Sequence, residues 1–462
     1  MLISGIILVT FIGFLAVNAI SPRFTWAEKT GLAFPIGLGL QTLVMLVMDM
    51  LGIRLTRSTV MLAGSLLMVA SCLFLYRHRK EVRNCCKNAF RFDSSQYNLV
   101  WFFFIVLIIY FEYMNFAKCL YFPTFDRDSL AGFDTIGYVV SREHTFRGLS
   151  IFRQEYMPHI HDAGSYIRYA PMVQLSYAYV YLLGAETSKL VPALMYLSLL
   201  TAFYGSIRRV TGPTASAIAT FFMMITPEMI AFSSLSGTNV IHAVSASLGI
   251  IYFSLWFRYR ERRDLYLGSV LLALNVWTRT DGVVFIGAAF LVVFGDVVRS
   301  KRWRDLLPIA ASCFPALLWA LFAGINNFRT ESMVIIHPHW NAEKAGIIWA
   351  FMKAYYCDTW FFGWTFVVFF FSFLLNGWNL VKKKDNFMLL AMIVLSSFLY
   401  MWMLYQIDYK WDSIQNVLAY SAKRFLFCFI PVIWYYSMSN QCVVQVFQRM
   451  DDFLLLREHK VG

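Results

Sequence analysis

Apolar runs of about twenty residues recur along this chain, and most of the interruptions between them carry charge. Residues 99–116 and 283–294 are stretches of the kind that a water-soluble fold does not hide, and that a bilayer about 30 Å thick requires. The bias extends over the whole chain. Of 462 residues, 59% are hydrophobic and 15% charged, against roughly 45–50% and about 25% in soluble domains. A soluble globule is excluded, and the expected fold class is an all-α polytopic membrane protein.

Segments long enough to cross the hydrocarbon number roughly thirteen. They fall at 2–20, 32–53, 58–76, 99–117, 188–206, 213–233, 238–257, 264–280, 282–298, 305–325, 360–378, 386–405 and 422–439. The first lacks a basic flank and a small-residue cleavage site, so it reads as a retained span rather than a signal peptide. The 44 Phe, 25 Tyr and 14 Trp suit helix interfaces and interfacial belts. Of the eight Cys, Cys72, Cys313 and Cys428 sit inside apolar segments and Cys85-Cys86 in a basic loop, a pattern with no disulfide framework or zinc spacing.

The loops sort by charge into two alternating classes. One holds Arg77, Arg79, Lys80, Arg83, Lys87 and Arg91, then Arg208-Arg209, then Arg258, Arg260, Arg262 and Arg263, then Arg299, Lys301, Arg302 and Arg304, then Lys382-Lys383-Lys384. The net charge of +13 therefore sets topology and does not mark a nucleic-acid binder, and these loops are expected to face the cytoplasm. The other class, 118–187, 226–238, 278–282, 326–359 and 406–421, carries nearly all the acids, His and loop aromatics and is expected outside. The alternation holds only if residues 169–184 do not cross but lie in the outer interface as an amphipathic, tyrosine-rich helix. The organisation expected is an N-terminal three-span extension (1–98), a core with its large loop (99–325), C-terminal spans with two outer loops (326–439) and a cytoplasmic tail (440–462). No Walker, Rossmann or zincin motif occurs, so an ATP-driven pump is not indicated.

The loop after residue 117 concentrates Asp126, Asp128 and Asp134 at the membrane surface. Carboxylates are costly near lipid and point to function there. Partly desolvated, one of them can act as a general base on an acceptor hydroxyl. The plainer alternative is helix capping, with Asp128 as the N-cap of a helix starting at Ser129.

An Asp-x-Asp element (Asp126-Arg-Asp128), an amphipathic stretch at 136–152 and then Tyr169-Ala-Pro171 resemble the GT-C superfamily of integral-membrane glycosyltransferases, of the mannosyl- and arabinosyltransferase kind. Further likenesses follow in order: Thr226-Pro-Glu228, Trp277-Thr-Arg279-Thr-Asp281-Gly282, and Lys423-Arg424 seven residues ahead of Pro431. Asp281 stands where the family more often has Glu, and three spans precede the motif rather than one.

The resemblance implies a GT-C-like bundle and an inverting transfer, in which a sugar moves from a polyprenyl-phosphate donor to a cell-envelope glycan, lipid or protein. Asp128 is the expected base, with Asp126 and then Asp134 as alternatives. The leaving phosphate needs cations aimed at its oxygens, and the outer face offers Arg424, Lys423, Arg279 and Arg168. An interfacial arginine that snorkels is the competing reading for Arg424. His159, His161, Tyr169, Asp281, His337, His339 and Trp340 are candidates for sugar or acceptor contacts, with Trp340 as a stacking platform.

His-x-His without a spaced acidic ligand is a weak metal signal, so no metal or other cofactor is expected, although Asp126-x-Asp128 leaves a divalent ion open. The expected location is a bacterial inner membrane with the site on the periplasmic face. Two other readings compete: an O-antigen or polysaccharide polymerase, and a lipid-linked sugar flippase or transporter. A transporter favours ionisable groups at mid-span, whereas here Asp49 lies near the end of its span, Glu112 near the outer end of another and His242 just inside one, where each reads as an interfacial or hydrogen-bonded residue.

Overall fold

The computed structural model describes residues 1–77, 97–150, 166–167, 169–326, 334–336, 339–409 and 412–461. Among them, ten helices are long and apolar enough to cross a membrane, or eleven if one bent pair counts as a single span. The protein is thus an all-α integral membrane protein.

The chain opens with α1 (Leu2–Ile20), α2 (Trp26–Met50) and α3 (Arg57–Arg77). A capping box starts α2, in which Thr25 Oγ1 accepts from the Glu28 N–H and the Glu28 carboxylate accepts from the Thr25 N–H. The first two helices approach at glycines: a Cβ on Gly13 would lie 1.8 Å from the Ala33 carbonyl oxygen, and one on Gly37 1.9 Å from that of Val9. Backbone contact of this kind is the means by which apolar helices associate in lipid. Residues of α2 from Leu32 to Leu46 supply much of one continuous core that runs from Val9 to Met438.

Next come α4 (Leu99–Tyr121), α5 (Asp134–Glu143), α6 (Met172–Leu182), α7 (Leu190–Arg208), α8 (Pro213–Met224), α9 (Pro227–Phe232), α10 (Asn239–Tyr259), α11 (Arg262–Thr278) and α12 (Val283–Ser300). The crossing Trp303–Ile325 is assembled from short pieces ending in α13 (Phe314–Ile325). After it lie α14 (Ala342–Tyr356), α15 (Thr359–Phe362), α16 (Thr365–Lys383), α17 (Phe387–Gln406), α18 (Ile414–Phe427), α19 (Phe429–Ser439) and α20 (Gln441–Val461). One antiparallel ribbon joins β1 (Val334–Ile336) to β2 (Ile407–Tyr409) with Ile335 opposite Asp408, so the loops around 334 and 407 meet at the same end of the bundle.

Three of the roughly thirteen segments expected from hydropathy are not among the ten long crossings. Segment 213–233 divides into α8 and α9, because Pro227 lacks an N–H and pushes Thr226 out of helical geometry. Segment 264–280 is the 17-residue α11, which stops where Arg279 becomes extended. Segment 422–439 bends by 41° between α18 and α19, where Pro431 cannot donate to the turn before it.

The interfacial helix expected over residues 169–184 also takes another form. Helix α6 has 11 residues, about 16 Å at 1.5 Å per residue and too short to cross. It does not lie on a surface, because every side chain from Met172 to Val180 is buried. The amphipathic element of this region is α5, which buries Ile136 and Val140 and exposes Tyr138.

Among the described residues, helix direction and tertiary contacts separate the two classes of loop onto opposite ends of the bundle. At the basic end, Arg209 forms two short bonds to Asp264 (2.6 and 2.8 Å) and reaches Glu28 at 3.3 Å, joining α7, α11 and α2. There too Arg258 pairs with Asp385 at 3.0 Å. Helices α10, α12 and α16 all stop at this end with a basic residue in the left-handed region, Arg260, Lys301 and Lys384, at φ of 57–58°. That position usually takes glycine, and here a basic residue occupies it, next to the negative helix terminus.

Candidate active site

The opposite end gathers the carboxylates. Where α4 ends, the Lys189 ammonium donates to the Phe122 carbonyl at 2.8 Å, which secures the chain leading to the Asp126–Asp128 loop. Burial holds this lysine below its ordinary pKa.

The three loop carboxylates have different tasks. Asp126 Oδ2 accepts from the Ser129 N–H (3.2 Å) and from its hydroxyl (2.9 Å), so the capping role that the sequence also allowed for Asp128 belongs to Asp126. It opens a π-helical turn over Ser129–Phe133, a form frequent at functional sites. Asp134 accepts from the Tyr181 hydroxyl at 2.6 Å and ties α5 to α6.

Asp128 makes no capping bond and projects away from its own loop. Its Oδ1 accepts from the Tyr166 hydroxyl at 2.8 Å, and its Oδ2 is ion-paired with Arg424 Nη1 of α18. Both charged side chains keep contact with solvent, 21% exposed for Asp128 and 30% for Arg424, so an incoming group can reach the pair. Tyr166 gets this close because residue 132 is glycine, where a Cβ would lie 2.2 Å from its ring. The ring packs edge-on to Phe133 at 5.3 Å and stacks with Tyr169 at 6.3 Å. Burial, and then the Asp128 charge, push the Tyr166 phenol above its ordinary range, so it stays a donor.

Tyr169 connects this pair to a second. It interacts electrostatically with Arg279, Asp281, Asp128 and Arg424. Arg279 clasps Asp281 in a fork, Nε to Oδ1 at 2.9 Å and Nη2 to Oδ2 at 2.7 Å, and extends Nη1 toward the Thr238 hydroxyl at 3.5 Å. Burial opposes the Arg279 charge, yet Asp281 holds the guanidinium firmly protonated. Behind Asp281 stands the buried His242, with Nε2 3.9 Å from Oδ1. The Asn275 amide donates to His242 Nδ1 at 3.0 Å, which leaves the ring hydrogen on Nε2, on the side of Asp281.

Lys423 and Arg424 are adjacent on α18 but serve different partners. Lys423 pairs with Glu228 of α9 at 2.8 Å and lies 4.0 Å from the Phe361 ring centroid. It is therefore engaged away from Asp128.

His339 and Trp340 form a separate group. The Tyr405 hydroxyl donates to the His339 carbonyl at 2.9 Å, and Trp340 tilts against the Tyr405 ring at 5.5 Å with 77% of its surface exposed. A cleft of about 290 Å³ beside them is lined by Asn341, Glu343, Lys344, Asp408 and Ile414. Ile414 begins α18, ten residues before Arg424, or about 15 Å along the helix. Arg168, His159, His161 and His337 lie outside the described residues. Among the described residues no three His, Cys, Asp or Glu side chains converge on a metal-sized site.

No family model, curated protein or solved structure matches the chain. The site is therefore read from its own geometry. Of the sequence candidates, Asp128, Arg424, Tyr169, Arg279 and Asp281 come together. Tyr166, Thr238 and His242 join them without having been selected. Two of them left a trace in the sequence, Tyr166 as the first of two tyrosines three residues apart and His242 as an ionisable group in an apolar segment.

Proposed function

We propose that the protein is an inverting glycosyltransferase that takes a sugar from a polyprenyl-phosphate donor, and that the carboxylate end of the bundle, on the outer face of a bacterial inner membrane, is where it works. The observation that carries this reading is the pairing of Asp128 with Arg424: one carboxylate and one guanidinium, from elements distant in sequence, both open to solvent. Tyr169 interacts electrostatically both with this pair and with Arg279 and Asp281, which supports including the second pair in the site.

In this reading the donor phosphate competes for Arg424 and releases Asp128 from its ion pair. An acceptor hydroxyl then attacks the anomeric carbon from the side opposite the phosphate. The new C–O bond forms as the bond to the phosphate oxygen breaks, that oxygen keeps the electron pair, and Asp128 takes the hydroxyl proton. Arg424 and Arg279 answer the charge that grows on the phosphate. Tyr166 orients the carboxylate through Oδ1, leaving Oδ2 to act. Trp340 and the neighbouring cleft are suited to the acceptor, a glycan, lipid or protein.

The test is release of free polyprenyl phosphate from a panel of radiolabelled polyprenyl-phosphate sugars by purified protein in nanodiscs, wild type against Asp128→Asn. Release that depends on the carboxylate supports a transferase. Release that the variant retains removes Asp128 as base.

Transport of a lipid-linked sugar is the second reading, favoured by one observation. Glu112, within α4, is 5% exposed beside Asn115, and an ionisable group enclosed in a span is a mark of transporters.

A further inference from the structure

The basic end of the bundle carries a second cleft that plays no part in the site above. It measures about 360 Å³ and is lined by Arg258 and Tyr259 at the end of α10, Lys383 at the end of α16, Asp385 in the following turn, and Gln441 and Val444 in the first turn of α20. That volume falls within the range of small-ligand sites, about 300–1,000 Å³.

Its charges are unevenly satisfied. The single lining carboxylate, Asp385, is engaged through both oxygens, Oδ1 by Arg258 Nη2 at 3.0 Å and Oδ2 by the Gln441 N–H at 2.9 Å. Arg258 makes both of its hydrogen bonds through Nη2, the second to the Ser439 carbonyl at 3.3 Å. Lys383 donates to a neutral group, the Gln441 amide oxygen, at 3.0 Å, and among the described residues it has no carboxylate partner. Lys382 and Lys384 flank it in the chain. The cleft thus presents net positive charge with donors for one more anion.

Its position narrows the ligand. Helix α20 lies across the end of the bundle, from Gln441 beside α16 to Asp451, which accepts from the Asn98 amide at the start of α4 at 3.1 Å. On its outer face it exposes Val446 and Phe453, 65% and 54%, seven residues apart on one edge, beside the polar Gln445, Gln448, Arg449 and Asp452. A helix across the ends of membrane spans, with an apolar edge beside a polar outer face and lysines next to it, sits at the depth of lipid headgroups. Basic clefts between spans at that depth take anionic headgroups.

We propose that this cleft binds the phosphodiester of an anionic phospholipid, with Lys383 and Arg258 on the phosphate oxygens and the apolar edge of α20, Val446 and Phe453, against the acyl chains. This rests on the membrane architecture alone and stands independently of the transferase reading. The shared chemistry is a phosphate, and the source assigned is the leaflet rather than a soluble metabolite.

The test titrates detergent-purified full-length protein with phosphatidylglycerol or phosphatidylcholine and counts retained lipids by native mass spectrometry. Phosphatidylglycerol should be retained in preference to phosphatidylcholine. Lys383→Gln should weaken its retention about fivefold or more, whereas Lys301→Gln, equally basic but outside the cleft, should not. Lys383 is exposed and its replacement leaves the Arg258–Asp385 pair in place, so the variant folds. Equal retention of the two lipids, or undiminished retention by Lys383→Gln, overturns the proposal. Displacement of phosphatidylglycerol by millimolar glycerol phosphate overturns the lipid assignment in favour of a soluble phosphate.

Discussion

Asp128 of the first large loop and Arg424 of α18 hold each other through Oδ2 and Nη1, and Tyr166 holds the other oxygen of the same carboxylate. If this carboxylate is the base, Asp128→Asn lowers transfer by about 10²–10⁴-fold with the protein still folded. Arg424→Ala weakens donor binding roughly ten- to a hundredfold, as expected for a lost hydrogen bond to a charged group, and leaves acceptor binding little changed. Equal losses for donor and acceptor would argue that Arg424 only holds the loop. Donor and acceptor titrations of the same preparations decide it.

Tyr166 and Gly132 act as one unit, because the tyrosine ring occupies the space of a missing Cβ. Tyr166→Phe removes one hydrogen bond to a charged group and should cost transfer about 1.5–3 kcal/mol, roughly ten- to a hundredfold in kcat. Gly132→Ala should both slow transfer and lower Tm, since overpacking costs about 1–3 kcal/mol. Adding Tyr166→Ala to Gly132→Ala should recover the Tm but not the rate. Failure of that recovery would place the strain elsewhere.

Glu228 gives a pH dependence. Burial pushes its carboxyl above the ordinary value of 4.5, against the pull of Lys423. A raised acid binds its proton more tightly folded than unfolded. Its contribution is therefore present below that ordinary value and is lost as pH rises through the folded one. Glu228→Gln should flatten the corresponding fall in Tm above about pH 4.5, and Lys423→Ala should steepen it. Melting curves in detergent across that range check both signs.

Arg209 and Arg260 contrast a buried ion pair with an exposed one. Arg209 is 10% exposed and faces Asp264 and Glu28, which are 0% and 1% exposed. Its replacement by Met strands two buried carboxylates and should cost about 3–5 kcal/mol. Arg260, 41% exposed on Asp296, should cost less than about 1 kcal/mol on change to Ala. Similar losses of Tm in the two variants would contradict this ranking.

Topology can be read with cysteine labels. Trp340→Cys should react with a membrane-impermeant maleimide from the outside of intact cells, and Lys301→Cys only after permeabilisation. The reverse pattern would put the Asp128 end in the cytoplasm.

The sequence made the helices legible because length and hydropathy are local properties, and it erred where a local event breaks a run. Pro227 divides segment 213–233, and Pro431 accompanies a bend in 422–439. Helix α6 was misjudged for another reason. Its tyrosines suggested a surface, but the Tyr177 and Tyr179 hydroxyls reach carbonyls inside the bundle, those of Gly237 and Gly5. Such partners belong to other segments, α1 and the turn before α10, and leave no mark in the segment itself.

The sequence by itself determined that this protein lives in lipid, where most of its helices run, and that basic and acidic loops alternate, since each follows from residue type and spacing along one stretch of chain. Only the tertiary structure decided what the acidic loops do. Three neighbouring aspartates are all candidates for one role in the sequence, Asp128 first, yet one caps a turn, one joins two helices and one meets Arg424. The difference arises because a carboxylate's role depends on which donors the packed helices bring to it, and those donors come from segments far away in the chain.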